Sequence, residues 1–369
     1  MKILDIDKDV LLKPLQAVSG IVERRHTLPI LSNVLLEAEG STLNLLATDL
    51  EIQVSTSTTL EKKVGSKYAI TVSARKLQDI LRALPENTNV TLDAQESRVQ
   101  VKAGKSKFNL QTLPSQDFPR LAESSNAGGK VELAQKTLRD LLMLVQYGMA
   151  QQDIRYYLNG LLVVVDGQQL TVVATDGHRL AYAATEIPKS VERAEVIIPR
   201  KAVIELVKLL GDVEEPVEVQ LLPNQVRFSF SGIEVISKVV DGKFPDYNRV
   251  IPSNYKKHFK VGRQVLQQAL QRASILSNEK FRGVRWVLTS DVLKIVCTNA
   301  EQEEAEEELE VSYNGDPLDI GFNITYLLDV LNNLTDEEID CAVGDANSSM
   351  LLSVPGNQSF KYVVMPMRI

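Results

Sequence analysis

Ala47-Thr48-Asp49-Leu50-Glu51 recurs as Ala174-Thr175-Asp176-Gly177-His178 and, more weakly, as Cys297-Thr298-Asn299-Ala300-Glu301. The threonines stand 127 and 123 residues apart in a chain of 369, and a period of one third of the length decides architecture before any local reading. Two further anchors keep the same order. Val72-Ser73-Ala74-Arg75-Lys76-Leu77 returns as Ile198-Pro199-Arg200-Lys201-Ala202-Val203 and faintly as Phe322-Asn323-Ile324-Thr325-Tyr326-Leu327. Asp117-Phe118-Pro119-Arg120-Leu121 returns as Lys243-Phe244-Pro245-Asp246-Tyr247. Three domains are expected, 1–127, 128–252 and 253–369, joined by short linkers at Ala127-Gly128-Gly129 and Pro252-Ser253-Asn254.

Each unit carries the same pattern. Val10, Leu11, Pro14, Leu15 and Val18 have helical spacing, with Asp9 as expected N-cap and Pro14 fitting only near a helix start. Leu138, Leu141, Leu142 and Val145 repeat that face before the strand-like run Leu161 to Val165. Val265, Leu266, Ala269, Leu270 and Ala273 repeat it again, before Val284, Trp286 and Leu288 in strand alternation. A second short helix follows the Arg-Lys anchor, as Ile204, Leu206, Val207 and Leu210 indicate. The fold class is α+β, two helices per unit among many strands.

With 44% hydrophobic and 24% charged residues the chain is of ordinary globular composition. No apolar run approaches the roughly 20 residues of a membrane helix, and the acidic start Met1-Lys2-Ile3-Leu4-Asp5-Ile6-Asp7 is unlike a secretory signal. A cytoplasmic protein is expected. Cys297 and Cys341 lack metal-site or disulfide spacing and read as buried thiols. The net charge of −7 argues against nucleic acid only if it is evenly spread. It is not, because seven acids crowd into Glu301 to Glu310, which leaves the remainder neutral. A separate basic surface is permitted.

The stretches Gln152-Asp153-Ile154-Arg155-Tyr156-Tyr157-Leu158-Asn159-Gly160, Ala174 to Leu180, Phe244-Pro245-Asp246-Tyr247, Ser277 to Arg285 and Tyr362 to Arg368 closely resemble the bacterial DNA polymerase III beta subunit, the sliding clamp family, along the whole chain. The resemblance implies three repeated clamp domains, each two helices packed on antiparallel sheets. Two chains would form a six-domain ring as a head-to-tail homodimer that encircles DNA without catalysis or cofactor. It implies double-stranded and primed DNA as a sequence-independent partner. Its other partners would be the replicative polymerase catalytic subunit, the clamp loader, and further polymerases and repair proteins binding through short linear peptides. A cytoplasmic protein at the nucleoid and replication fork follows.

Candidate DNA-contacting residues are Arg24, Arg25, Arg75, Lys76, Arg82, Arg200, Lys201 and Arg282, with Lys208, Arg272, Lys280 and Arg285 beside them, all on or near expected helices. A solvated helix face is the plain alternative for each. Gln152, Tyr156 and Tyr157 combine amide and stacking groups suited to single-stranded DNA, against a simple packed tyrosine pair. By resemblance a partner-peptide cleft is lined by Leu158, Thr175, Gly177, His178, Arg179, Leu180, Pro245, Arg249, Val250, Asn323, Tyr326, Ser349, Val363, Val364, Met365, Pro366, Met367 and Arg368. The methionines suit an adaptable pocket, whereas the valines suit a core strand. The expected dimer interface sets Lys76, Arg98, Lys105, Lys107 and Phe108, with Lys102 on the same basic edge, against Ile275, Leu276, Glu303, Glu304, Glu306 and Glu307. An acidic strand edge that deters aggregation is its alternative.

Two other functions compete. Asp176 and His178, read as i, i+2 neighbours on one strand face, could belong to a hydrolase, but no further ligand or base accompanies them and no phosphate-binding glycine loop is present. A repeat scaffold that binds proteins and no DNA would also suit the acidic total.

Overall fold

The computed structural model describes residues 2–23, 27–95, 97–122 and 129–369. Arg24, Arg25 and the Ala127-Gly128 part of the expected linker lie outside the described residues. The first repeat runs β1 (Lys2–Asp7), α1 (Lys8–Ser19), β2 (Asn33–Glu39), β3 (Thr42–Thr48), β4 (Ile52–Thr59), β5 (Tyr68–Ser73), α2 (Ala74–Ala83), β6 (Asn89–Gln95), β7 (Arg98–Ala103) and β8 (Ser106–Gln111). The second runs β9 (Lys130–Ala134), α3 (Gln135–Val145), β10 (Gly160–Thr175), β11 (Arg179–Pro199), α4 (Arg200–Leu209), β12 (Pro216–Leu221), β13 (Gln225–Phe230) and β14 (Ile233–Lys238). The third runs β15 (Lys257–Gly262), α5 (Arg263–Ala273), β16 (Gly283–Thr289), β17 (Val292–Thr298), β18 (Glu304–Glu310), β19 (Leu318–Asn323), α6 (Ile324–Asn333), β20 (Glu338–Val343), β21 (Met350–Val354) and β22 (Asn357–Val364). The first and third repeats have identical element orders. In the second, β10 and β11 replace four shorter strands, with register shifts around Gly167.

The chain packs as two compact units, Met1–Leu138 with Ile204–Val239, and Arg139–Val203 with Val240–Ile369. The first holds sheets β1-β6-β7-β8 and β5-β2-β3-β4-β14-β13-β12-β9; the second holds β10-β11-β22-β21-β20-β15 and β18-β17-β16-β19. Every pairing is antiparallel, from the β4–β14 pair to the β11–β22 pair. Within each unit one strand of an earlier repeat pairs with the last strand of the next.

The helices form because each offers one apolar stripe to a sheet. In α3, Leu138, Leu141, Leu142 and Val145 are all buried, and each fully buried leucine contributes roughly 1.5–3 kcal/mol. In α5, Leu266, Ala269, Leu270 and Ala273 are buried but Val265 is exposed. Val10 is likewise exposed, because the inward stripe of α1 is Lys8, Leu11, Leu15 and Val18; Lys8 joins it by donating from Nζ to the Leu84 carbonyl at 3.3 Å. The N-cap of α1 is Asp7, which accepts from the Asp9 amide at 2.8 Å, so Asp9 sits one position inside the first turn rather than at the cap. Pro14 lies in the middle of α1, where packing of Leu11, Leu15 and Val18 outweighs the lost backbone hydrogen bond. In α4 the buried face is Ala202, Val203, Glu205 and Leu206, continued by Leu210 just after the helix, leaving Ile204 and Val207 only half-buried. Leu161 to Val165 is one part of the longer β10.

In β16, Val284, Trp286 and Leu288 alternate inward, and Trp286 meets Phe259 and Phe322 edge to face. Both cysteines are buried and free; burial alone raises Cys297 to about 11, and burial, aided by Asp340, raises Cys341 further. Among the described residues no helix is long and apolar enough to cross a membrane.

Candidate partner-binding and nucleic-acid surfaces

The threonine-aspartate anchor builds a turn. Thr48 Oγ1 donates to the Ile52 carbonyl at 2.8 Å and accepts from the Leu50 amide at 3.1 Å, while Asp49 Oδ1 accepts from the amides of Glu51 and Ile52. Thr175 and Asp176 repeat all four bonds onto Arg179, Gly177, His178 and Arg179. The residue after each aspartate has positive φ, 78° at Leu50 and 89° at Gly177. In the third repeat Asn299 Oδ1 holds the amides of Glu301 and Glu303. Asp176 and His178 therefore occupy this turn and not a strand face, and the Asp176 carboxylate is spent on backbone amides and Arg179. Among the described residues no cluster of three metal-ligating side chains exists.

Arg179 starts β11 and ties four segments together. Its guanidinium reaches Asp176 at 3.1 Å, Asp329 of α6 at 2.6 Å and the Tyr147 carbonyl at 2.6 Å, and it lies 4.3 Å from the Tyr326 ring centre. Burial opposes its charge, but Tyr362, Asp329 and Asp176 outweigh burial and hold its pKa above the usual range. The Tyr362 hydroxyl donates to the Tyr326 carbonyl at 2.9 Å. Tyr147, Asp329 and Tyr362 were absent from the candidate site residues; only Tyr362 carried a signal, as the first residue of the Tyr362 to Arg368 stretch that resembles the family. With a side chain 10% exposed, Arg179 is packed into this network and presents little of itself at the surface.

The residues expected in the cleft divide into buried and exposed sets. Leu158, Thr175, Leu180, Val363 and Val364 are buried, and Leu180 and Val363 belong to one core cluster with Leu162, Val164, Val173, Ile197 and Phe244. Gly177, His178, Pro245, Arg249, Val250, Met365 and Arg368 are exposed, while Tyr326, Pro366 and Met367 are half-buried. Arg249 pairs with Asp246 at 3.0 Å. Tyr247, half-buried, lies 6.0 Å from Tyr182 on the same cluster. Asn323 caps α6 by accepting from the Thr325 amide, and Ser349 meets the Tyr255 hydroxyl at 3.3 Å. The tail is held at two points: the Met365 amide donates to the His178 carbonyl at 2.9 Å and the Met367 amide to the Gly321 carbonyl at 2.8 Å.

The loop before β10 is internally braced. Asp153 takes two side-chain hydrogen bonds from Arg155, which hold its carboxyl down at about 2. Asn159 closes the loop by accepting from the Asp153 amide and donating to the Asp153 carbonyl. Gln152 has a φ of 58°, Ile154 is almost wholly exposed, and Tyr156 is exposed beside Tyr157 at 6.0 Å, edge to face. Gly242, at φ 126°, packs beside Tyr156 and Tyr157, and its backbone angle, not crowding, is what calls for glycine.

The basic candidates divide by what already occupies them. Arg75 and Arg200 stand in the first turns of α2 and α4, and each donates to the carbonyl of a residue after the preceding helix, Val22 at 3.0 Å and Met149 at 3.2 Å. They therefore position the chain as well as presenting charge. Lys76, Arg82 and Arg282 are exposed, Arg282 at φ 52°; Lys201 is half-buried. Three neighbours are committed elsewhere. Arg272 chelates Glu307, Lys208 pairs with Glu205, and Arg285 lies on β16, not on a helix, chelating Asp319.

β8 and β18 are sheet edges. Lys107 and half-buried Phe108 lie on β8, Lys105 in the turn before it, and Arg98 on adjacent β7. Lys102 is on β7 and bonds Asp93 of β6, so it does not belong to the open edge. On β18, Glu304 and Glu306 face outward, Glu306 paired with Lys294 at 2.6 Å and half-buried Glu307 held low in pKa by Arg272; Glu303 precedes the strand and accepts from Asn299. Nearby Ile275 is largely exposed and Leu276 half-buried.

Models of the N-terminal, central and C-terminal domains of the DNA polymerase III beta subunit match residues 1–122, 132–246 and 248–368. The chain belongs to the DNA polymerase III beta subunit family. The beta sliding clamp of Pseudomonas putida is 47% identical over 365 residues, and that of Escherichia coli K12 is 46% identical over 364, each alignment covering 99% of both chains. The crystal structure of the DNA polymerase III subunit beta from Pseudomonas aeruginosa, 46% identical, has a TM-score of 0.95 over 100% of both chains. The three repeats are thus three clamp domains of the beta subunit fold.

Proposed function

We propose that this chain is a DNA sliding clamp: a non-catalytic processivity subunit that closes around duplex DNA as a head-to-tail dimer and tethers polymerases, the clamp loader and repair proteins by short peptides. The observation that carries it is the repeated junction. β4 pairs with β14 and β11 with β22, both antiparallel, with Thr56 opposite Ile233 and Ala183 opposite Phe360. Carried round once more, this junction would join β18 of one chain to β8 of a second, each an edge strand of its sheet, and two such contacts would close a heterologous ring. Glu304 pairs with Thr298 as Gln53 pairs with Thr48, and the β7–β8 turn matches the β13–β14 turn. On this pairing Glu306 would stand opposite Lys107 and Ala305 opposite Phe108 of the second chain, charge against opposite charge and apolar against apolar.

A ring held by topology needs only weak, sequence-independent phosphate contacts, for which Lys76, Arg82, Arg200, Lys201 and Arg282 are the candidates, with Arg75 as both brace and contact. Gln152, Tyr156 and Tyr157 would meet single-stranded template. The cleft framed by Arg179, with Pro245, Arg249, Val250, Tyr326, Met365 and Met367 at its rim, would take the peptides. Domain boundaries at 127/128 and 252/253 and a cytoplasmic, nucleoid-associated location at the replication fork complete the reading. A disulfide tests the ring: facing β residues are about 4.5–5.5 Å apart, within disulfide reach. Ala305→Cys with Phe108→Cys should oxidise to a covalent dimer, the native cysteines being buried, while Ala305→Cys with Ser106→Cys should not. No cross-link in the first pair, or equal yield in both, would overturn the register.

A further inference from the structure

β19 alternates Leu318, Ile320 and Phe322 inward, so Asp319, Gly321 and Asn323 face the other way. Its neighbour β16 sets Gly283 opposite Asn323 and Arg285 opposite Gly321. Two glycines thus stand diagonally on the outer face of adjacent strands, where β-formers with larger side chains are the rule. Glycine inside a strand marks a place where something else approaches closely. Here the end of the same chain approaches. A Cβ on Gly321 would fall 2.5 Å from the Met367 carbonyl oxygen and 2.6 Å from two Ile369 side-chain carbons, whereas a Cβ on Gly283 would meet Ile369 only at 3.5 Å. The Met367 amide is bonded to the Gly321 carbonyl. Gly321 gives up its side-chain space to the tail.

We infer that Gly321 is a positioning residue for partner binding: by seating Ile369 and bonding Met367, it holds Met365 and Met367 at the cleft rim. This rests on the cleft reading above. Met365 is the most exposed of the tail methionines and is anchored on its other side by the His178 carbonyl, so releasing the Gly321 end leaves a free-swinging tail whose ordering must then be supplied by the incoming peptide. That ordering cost lowers affinity without altering any contacting side chain.

The test uses the full-length chain with the purified catalytic subunit of the replicative polymerase from the same organism as probe, measured by biolayer interferometry. Gly321→Ala and Ile369→Ala should each weaken binding about tenfold or more, equivalent to about 1.4 kcal/mol. The double variant should be no weaker than the worse single one. Gly283→Ala should stay within about twofold of wild type. Melting temperature and dimerisation should be unchanged in Ile369→Ala, and the Met367 amide should lose hydrogen-exchange protection in both Gly321→Ala and Ile369→Ala. Wild-type affinity or tighter binding in Ile369→Ala or in folded Gly321→Ala overturns the inference, as does equal loss in Gly283→Ala and Gly321→Ala. Should Gly321→Ala fail to fold, Ile369→Ala, altered only at an exposed terminal side chain, decides alone. No binding by wild type overturns the cleft reading itself and with it this inference.

Discussion

Arg179→Met removes the guanidinium that joins the Asp176 turn, α6 and the Tyr147 segment while keeping most of the volume. It strands Asp176, whose side chain is 15% exposed, and Asp329, which is 31% exposed. Taking one partner from a buried ion pair costs about 3–5 kcal/mol; the partial exposure of Asp329 argues for the lower end, about 3 kcal/mol. For a domain of this size that lowers the melting temperature by roughly 6–12 °C, read by calorimetry at neutral pH. Arg179→Lys keeps the charge but cannot span three acceptors and the Tyr326 face, and it should fall between wild type and Met. Adding Asp329→Asn to Arg179→Met should recover part of the loss, because the stranded carboxylate is then gone. A melting temperature of Arg179→Met within about 2 °C of wild type, less than 1 kcal/mol on the same scale, would refute the view that Arg179 is a buried frame.

Lys107→Glu should weaken the dimer, as should Glu306→Lys, by about 0.2–1 kcal/mol each at an exposed edge, and the two changes together should restore it; analytical ultracentrifugation reads the exchange. The same dimer should loosen modestly as salt rises, since screening acts over about 8 Å near physiological ionic strength. Asp153 has a depressed folded pKa of about 2 against 3.8 unperturbed, so its bonds to Arg155 are present above the unperturbed value and lost as pH falls through about 2. Tyr156 and Tyr157 signals by NMR should therefore be flat from pH 7 to about 3 and change as pH falls through about 2. Arg82→Glu with Lys76→Glu should shorten residence on circular DNA without shifting the melting temperature, whereas Arg75→Glu and Arg200→Glu should do both, because each also braces a backbone carbonyl.

The threefold repeat was legible because its anchors do local backbone work. Thr-Asp builds the same turn twice, and the Arg-Lys pair opens a helix after a strand, so both survive in sequence even where neighbouring side chains diverge. Helix faces read well where leucines alternate with polar residues, and failed at Val10 and Val265, where a lysine stem or simple solvent exposure broke the equation of apolar with buried. Candidate cleft residues could be named from resemblance, but the network around Arg179 could not: Tyr147, Asp329 and Tyr362 are scattered over 216 positions, and only the folded chain brings them to Arg179. Charge was misleading in the same way. Arg272, Arg285 and Lys102 look like free cations in sequence, yet each is taken by a carboxylate across a strand or helix. The charge runs marked β8 and β18 as candidate edges in sequence, and the strand pairing shows that each ends its sheet.

The most direct test of the central account is retention on DNA before and after cutting. The protein is loaded by its cognate loader and ATP onto nicked circular DNA, the circle is linearised with a restriction enzyme, and bound protein is followed by gel filtration. A closed sliding ring predicts stable retention on the circle and release once ends are available. Equal retention on circular and linear DNA would contradict it, showing direct grip in place of topological linkage.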